Sequence, residues 1–359
     1  MTEPAGGLLA VGFDGTTLPE AVSALAADAE LGGVVLFARN CPTLEAVLAL
    51  TEAAHALSPD ILVLVDHEGG RVHRLPPPFT HFPPAGAVGR VGDPALAGQV
   101  GRAMARELRA AGFDSGLGPV LDCATDPGSV IVGDRAFGAD PEQVAACGVA
   151  FVRALLAEGL APVAKHFPGH GRTPLDSHVT LPEVHASAEE LERVELVPFR
   201  RALAEGCPAV MVAHVRYGAL DPERPASLSP AVIGELLRAR LRFDGLVLSD
   251  DLEMQAVAQG WGVGPAAAAF LTAGGDLALV CRDAEARRSG LEAVQRALDQ
   301  GALAPGRVRA ARLRRRAIRA LVRGAGPVPS VDVIGCPEHA ELAAEVERRA
   351  GDASTAVHP

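Results

Sequence analysis

Short apolar runs recur along the chain and alternate with longer stretches of helical period. The runs are Gly7–Phe13, Gly32–Phe37, Ile61–Val65, Gly116–Leu121, Ala161–Ala164, Ala209–Ala213, Gly245–Leu248 and Leu277–Val280. Most are continuously apolar, the pattern of strands buried on both faces. The stretches between them carry helix starts. Thr43 precedes Leu44-Glu45-Ala46-Val47, Asp93-Pro94 opens a helix towards Arg109, and Asp140-Pro141-Glu142 opens another towards Ala157. Ser187 fits a capping position and Ser229-Pro230 puts proline in a first turn, while Gly159 and Gly206 fit helix stops. Alternating strand and helix predicts an α/β fold with parallel strands and right-handed crossovers. About eight units over about 320 residues is the count of a single (β/α)8 TIM-type barrel. A doubly wound open sheet is the alternative; against it, no GxGxxG turn follows the first run. The barrel is expected over residues 1–325. Beyond it, Gly326–Ser330 reads as a linker and Pro337–Gly351 as one polar helix, a short C-terminal extension over residues 326–359.

Ionisable residues sit directly after the apolar runs: Asp66-His67-Glu68, Asp122, Lys165-His166, His214 and Asp250-Asp251. In a barrel the carboxyl ends of the strands share one rim, where active sites lie. One polar residue at a strand end is an ordinary cap; five such coincidences point to a site.

Composition narrows the chemistry. Acidic residues number 44 against 33 basic, a net charge of -11, which argues against a nucleic-acid partner. No apolar run reaches the roughly 18 residues of a membrane span. The start Met1-Thr2-Glu3-Pro4 lacks the basic opening of a secretory signal, so a cytoplasmic location is expected. Six cysteines lie far apart with no CxxC pair, which reads as free thiols. Among the 33 basic residues Lys165 is the one lysine. A bias that replaces lysine wherever arginine serves marks the survivor as a residue whose compact point charge is needed.

The segment Lys165-His166-Phe167-Pro168-Gly169-His170-Gly171, followed by Asp176-Ser177-His178, reads as a shaped loop after a strand. Lys165 and His166 are expected to leave the strand on different sides and to donate hydrogen bonds to ligand hydroxyls. Asp176 and His178, two apart, can meet, and a carboxylate beside an imidazole makes a proton-transfer group suited to neutral pH. A metal held by His166, His170, Asp176 and His178 competes, but the spacing matches no familiar zinc pattern. In Ser249-Asp250-Asp251-Leu252-Glu253-Met254 a buried strand delivers a nucleophilic carboxylate to the rim, and spacing alone leaves Asp250 and Asp251 both open. In Asp66-His67-Glu68-Gly69-Gly70-Arg71-Val72-His73-Arg74, paired glycines allow a sharp turn and Asp66 can accept from vicinal hydroxyls. Gly133-Asp134-Arg135 adds a loop arginine. Acceptors and donors for hydroxyls around a carboxylate are what a sugar requires.

These motifs, with Gly33–Asn40, resemble those of glycoside hydrolase family 3, and within it the bacterial β-N-acetylglucosaminidases of the cell-wall recycling type. The resemblance runs from about Gly7 to Arg323. It departs at Asp122–Ser129, which lacks expected asparagines, and at Ala136, where serine is common. The resemblance implies a retaining exo-β-N-acetylglucosaminidase acting on terminal β-linked N-acetylglucosamine (GlcNAc) of peptidoglycan fragments. It implies Asp250 as nucleophile, His178 as general acid and base tuned by Asp176, and Asp66, Arg74, Arg135, Lys165 and His166 as binders of the sugar in the −1 subsite. No metal or cofactor is implied, and the partner is a small carbohydrate, with no nucleic acid or membrane. Four alternatives remain open: a phosphorylase using phosphate as acceptor, a family 3 glycosidase for another sugar, a sugar-binding protein on an inactive barrel, and a metal-dependent hydrolase.

Overall fold

A computed structural model of the chain describes residues 5–126, 128–173 and 181–356. Among them ten strands form two sheets. The strands are β1 (Leu9–Val11), β2 (Gly33–Leu36), β3 (Leu62–Val65), β4 (Val163–Phe167), β5 (Glu183–Val184), β6 (Ala209–Val212), β7 (Arg216–Tyr217), β8 (Asp221–Pro225), β9 (Leu246–Asp251) and β10 (Leu277–Val280). Seven make a parallel sheet in the order β3-β2-β1-β10-β9-β6-β4. Every residue of β1, β2, β3, β6 and β10 is buried, as continuous apolar strands require. The first strand lies beside the last, so the chain winds around rather than reversing at a switch point, and the doubly wound alternative does not hold.

The sheet is curled. Its edge strands β3 and β4 both hydrogen-bond the segment 114–121. On one side Asp114 N–H donates to Val63 O at 2.8 Å, Val65 N–H to Ser115 O at 3.1 Å and His67 N–H to Gly116 O at 3.2 Å. On the other, Ala161 N–H donates to Asp114 O at 2.9 Å, Val163 N–H to Gly118 O at 2.8 Å and Lys165 N–H to Pro119 O at 3.2 Å. The expected strand Gly116–Leu121 is therefore two isolated bridges, Leu64 to Ser115 and Val120 to Lys165, and not a continuous ladder. Pro119 has no N–H to give, and Leu117 takes a positive φ of 45°. Alternate strand residues divide between two clusters. Ala10, Val35, Leu62, Leu64, Met211, Leu248 and Leu279 pack together inside the curl. Val11, Val34, Val63, Val210, Val247 and Val280 face the helices.

The expected caps are in place. Thr43, Asp93, Asp140 and Ser187 accept backbone N–H groups at the starts of Leu44–Leu57, Pro94–Ala110, Pro141–Glu158 and Ala188–Arg193. Gly159 ends its helix with φ 75°. One feature lay beyond the apolar pattern. A three-stranded sheet, β5-β7-β8, is too short and polar to announce itself. The polar helix after residue 336 spans Pro337–Ala356 and packs on Ala85–Val91 and Pro94–Ala110.

Candidate active site

A cavity of about 550 Å³ opens at the carboxyl ends of the strands. Asp66, Arg74, Arg135, Lys165, His166 and Asp250 all line it, so these expected site residues converge from four separate chain segments. Asp176 and His178 lie outside the described residues. Lys165 and His166 were expected on opposite sides of their strand, yet both face the cavity. The β4–β6 register shifts between Ala164 and Phe167, so simple alternation fails there. The Lys165–His166 peptide is cis.

The floor is a buried ion cluster. Lys165 Nζ lies 2.5 Å from Asp66 Oδ1 and 2.6 Å from Glu68 Oε1. Arg135 binds Glu68 through two bonds, Nε to Oε2 and Nη2 to Oε1, both at 2.7 Å, the fork geometry peculiar to guanidinium. Burial works against the charge on Glu68, but Lys165 and Arg135 hold its carboxyl well below the usual range. Burial likewise opposes the Lys165 charge, yet Asp66 and Glu68 raise its pKa above the ordinary lysine value. Arg74 reaches Asp66 more loosely, at 3.8 Å.

His166 is aimed by a second buried carboxylate. Asp122 Oδ2 accepts from His166 Nδ1 at 2.7 Å, while Oδ1 accepts the backbone N–H of His166 at 3.1 Å and of His170 at 2.7 Å. Burial would raise the Asp122 pKa; the two histidines and their amides lower it instead. With Nδ1 donating, His166 Nε2 accepts from Arg135 at 3.3 Å. Burial pushes His170 down to about 4, and its Nδ1 pairs with Thr173 Oγ1 at 2.6 Å. Among the described residues no three histidines, cysteines or carboxylates are grouped to hold a metal ion.

The two strand-end aspartates differ sharply. Asp250 accepts the Asp251 N–H at Oδ1, 2.8 Å away, and Oδ2 has no hydrogen-bond partner among the described residues. Burial would raise its pKa, but His166, His214, the Asp251 amide and Lys165 hold it below the ordinary value. Asp251 instead caps a turn, its Oδ1 accepting from Glu253 N–H at 3.1 Å and Cys281 N–H at 3.3 Å. Burial, with the neighbouring Glu253 and Asp250 charges, pushes it up to about 7. An ionised carboxylate with a free face, next to cations and donors, is the arrangement of a nucleophile. Asp250 fits it and Asp251 does not.

Glu68, Asp122 and His214 stood among the strand-end residues of the sequence but carried no assigned role. His214 is fully buried; its Nε2–H donates to Asp251 O at 3.0 Å and its Nδ1 accepts from Ser227 Oγ at 2.7 Å. It steadies the backbone that carries the aspartates.

A family model described as glycosyl hydrolase family 3 N terminal domain matches residues 3–318. A protein named beta-hexosaminidase from Methylococcus capsulatus is 44% identical over 268 residues, 74% of this chain and 79% of that protein. The solved family 3 β-N-acetylglucosaminidase of Paenibacillus sp. superposes with a TM-score of 0.92 at 36% identity, covering 98% of this chain and 68% of that one. NagZ from Neisseria gonorrhoeae, solved with N-trifluoroacetyl-D-glucosamine, superposes with a TM-score of 0.75 at 32% identity, covering 97% and 99%.

Proposed function

The chain belongs to glycosyl hydrolase family 3 and is a glycoside hydrolase, and from that premise we propose a retaining exo-β-N-acetylglucosaminidase that removes terminal β-linked GlcNAc from peptidoglycan fragments in the cytoplasm. Asp250 attacks the anomeric carbon and forms a covalent glycosyl-enzyme. His178, tuned by Asp176, protonates the departing glycosidic oxygen. It then takes a proton from the water that releases the sugar with retained configuration. Asp66, Lys165, His166, Arg135 and Arg74 bind the sugar hydroxyls and the N-acetyl group. The catalytic unit is a closed (β/α)8 barrel over residues 1–325, with segment 114–121 as its remaining strand, and residues 326–359 form the extension. The hydrogen bonds of that segment to both sheet edges support this closure.

One observation carries the reading: Asp250 is held ionised, with one oxygen that has no hydrogen-bond partner among the described residues, and it lines a cavity together with Asp66, Arg74, Arg135, Lys165 and His166. The test is turnover of 4-nitrophenyl β-N-acetylglucosaminide by the wild type, Asp250→Asn and His178→Ala. Asp250→Asn loses roughly 10³-fold or more in kcat. His178→Ala loses more on glycosides with poor leaving groups than on the nitrophenyl one. Wild-type rates in Asp250→Asn would remove the nucleophile assignment. A rate that depends on added phosphate would turn the hydrolase into a phosphorylase.

A further inference from the structure

The C-terminal segment of the chain is tied by hydrogen bonds to the helix Pro94–Ala110. Ile334, Ala343, Val346 and Ala350 are buried, which docks the helix Pro337–Ala356 on the barrel. Its first turn brings His339, 6% exposed, against Glu107, 3% exposed, in the helix Pro94–Ala110. Three donors converge on Glu107 Oε1: His339 Nδ1–H at 2.7 Å, Gly335 N–H at 3.2 Å and Thr80 Oγ1–H at 2.6 Å. Thr80 N–H donates to Oε2 at 2.9 Å. One buried carboxylate therefore joins the C-terminal segment to the loop containing Thr80. A buried carboxylate needs all of its donors, because each one lost leaves charge or dipole unmatched.

The connection continues to the cavity. Phe82 N–H donates to Thr80 O at 3.1 Å, and Gly70 N–H donates to Phe82 O at 2.8 Å. His81 Nε2–H returns a bond to Gly70 O at 2.8 Å. Gly70 is two residues from Glu68, which holds Lys165 and Arg135, and adjoins Arg71, which lines the cavity. The contact has no slack. A Cβ on Gly69 would come 2.9 Å from Pro83 O, and one on Gly70 2.6 Å from Pro84 Cβ. A shift of residues 80–84 is therefore transmitted to the Glu68–Arg74 loop.

We propose that the segment Gly335–His339 is a strut of the sugar-binding subsite, with His339 a positioning residue that acts through Glu107 and Thr80 on the Glu68–Arg74 loop; the activity arm of the test rests on the glycosidase reading above. His339 touches no reacting atom, so its loss loosens sugar binding and spares the chemical step. His339→Phe keeps a ring and removes the donor. It raises KM for 4-nitrophenyl β-N-acetylglucosaminide roughly 5- to 20-fold and leaves kcat within about twofold. His339→Asn, whose amide N–H reaches the place of Nδ1–H, restores KM to within about twofold of the wild type. Thr80→Val cuts the relay at its other end and repeats the KM rise. Val346→Ala, a cavity in the same helix away from Glu107, lowers Tm and leaves KM unchanged.

Hydrogen exchange of residues 66–84 in the sugar-free protein reads the strut without any activity. Exchange rises roughly tenfold in His339→Phe and stays at the wild-type rate in Val346→Ala. Unchanged KM and exchange in folded His339→Phe and Thr80→Val would overturn the proposal. So would an equal KM rise in Val346→Ala, which would make the helix a general stabiliser. A wild type that turns over no N-acetylglucosaminide sinks the glycosidase reading alone, and the exchange result still decides the strut.

Discussion

At the scale of single residues, the lone lysine explains itself. Lys165 is 1% exposed, and its ammonium lies between Asp66 and Glu68 at 2.5 and 2.6 Å. A guanidinium is planar and wider, and it would have to displace Arg135 from the same Glu68. Lys165→Arg keeps the charge and is expected to lose roughly 10²-fold in kcat/KM, with the loss read by steady-state kinetics at neutral pH. A variant within threefold of the wild type would mean that charge alone suffices there. Composition pointed to this residue because it is the one lysine among 33 basic residues. Glu68 and Asp122 had no such mark. Their partners Arg135 and His166 lie 67 and 44 residues further along the chain, and only folding reveals what each carboxylate binds.

At the scale of elements, β9 ends in two carboxylates that spacing could not tell apart. Both line the cavity; the difference lies in the amides of Glu253 and, 30 residues away beyond β10, Cys281, which both bind Asp251 Oδ1, whereas Asp250 accepts only the Asp251 N–H among the described residues. That difference has a pH signature. Asp251 holds its proton up to about 7 when folded and to about 3.9 when unfolded. Between those values the folded chain binds the extra proton. The contribution of Asp251 to stability therefore falls as pH rises from about 4 to about 7 and is constant above. Asp251→Asn has no proton to lose, and its amide oxygen can still accept from Glu253 and Cys281. The wild-type Tm should drop relative to the variant across that window when both are melted at pH 4, 5.5, 7 and 8. A pH-independent Tm difference would remove the assignment of a raised pKa to Asp251. The helix starts, by contrast, were legible because a cap is a local bond: Thr43, Asp93, Asp140 and Ser187 each accept an N–H within three residues.

At the scale of the whole molecule, the strands have a polarity that separates stability from chemistry. The buried parallel sheet was readable from continuous apolar runs. The docking of the last helix was not, since polar residues such as His339 anchor it as much as apolar ones. The carboxyl ends carry Asp66, Lys165, His166 and Asp250; the amino ends carry arginine–carboxylate clusters instead. Asp276, just before β10, is fully enclosed and pairs with Arg238 at 2.5 Å, Arg314 at 3.0 Å and Arg307 at 3.3 Å. It also ties β9, its Oδ2 accepting Val247 N–H at 2.9 Å. Removing the carboxylate leaves three guanidinium groups facing one another, two of them at most 16% exposed. Breaking a buried pair costs about 3–5 kcal/mol, so Asp276→Ala should melt roughly 4–7 °C below the wild type. Its kcat/KM at 25 °C should stay within twofold, because the affected groups lie at the far end of β9 and β10 from Asp250. Calorimetry and glycoside turnover on the same preparation check both halves. A folded Asp276→Ala whose kcat/KM falls tenfold would show that the two ends are coupled through the strands, and the division of labour would fail.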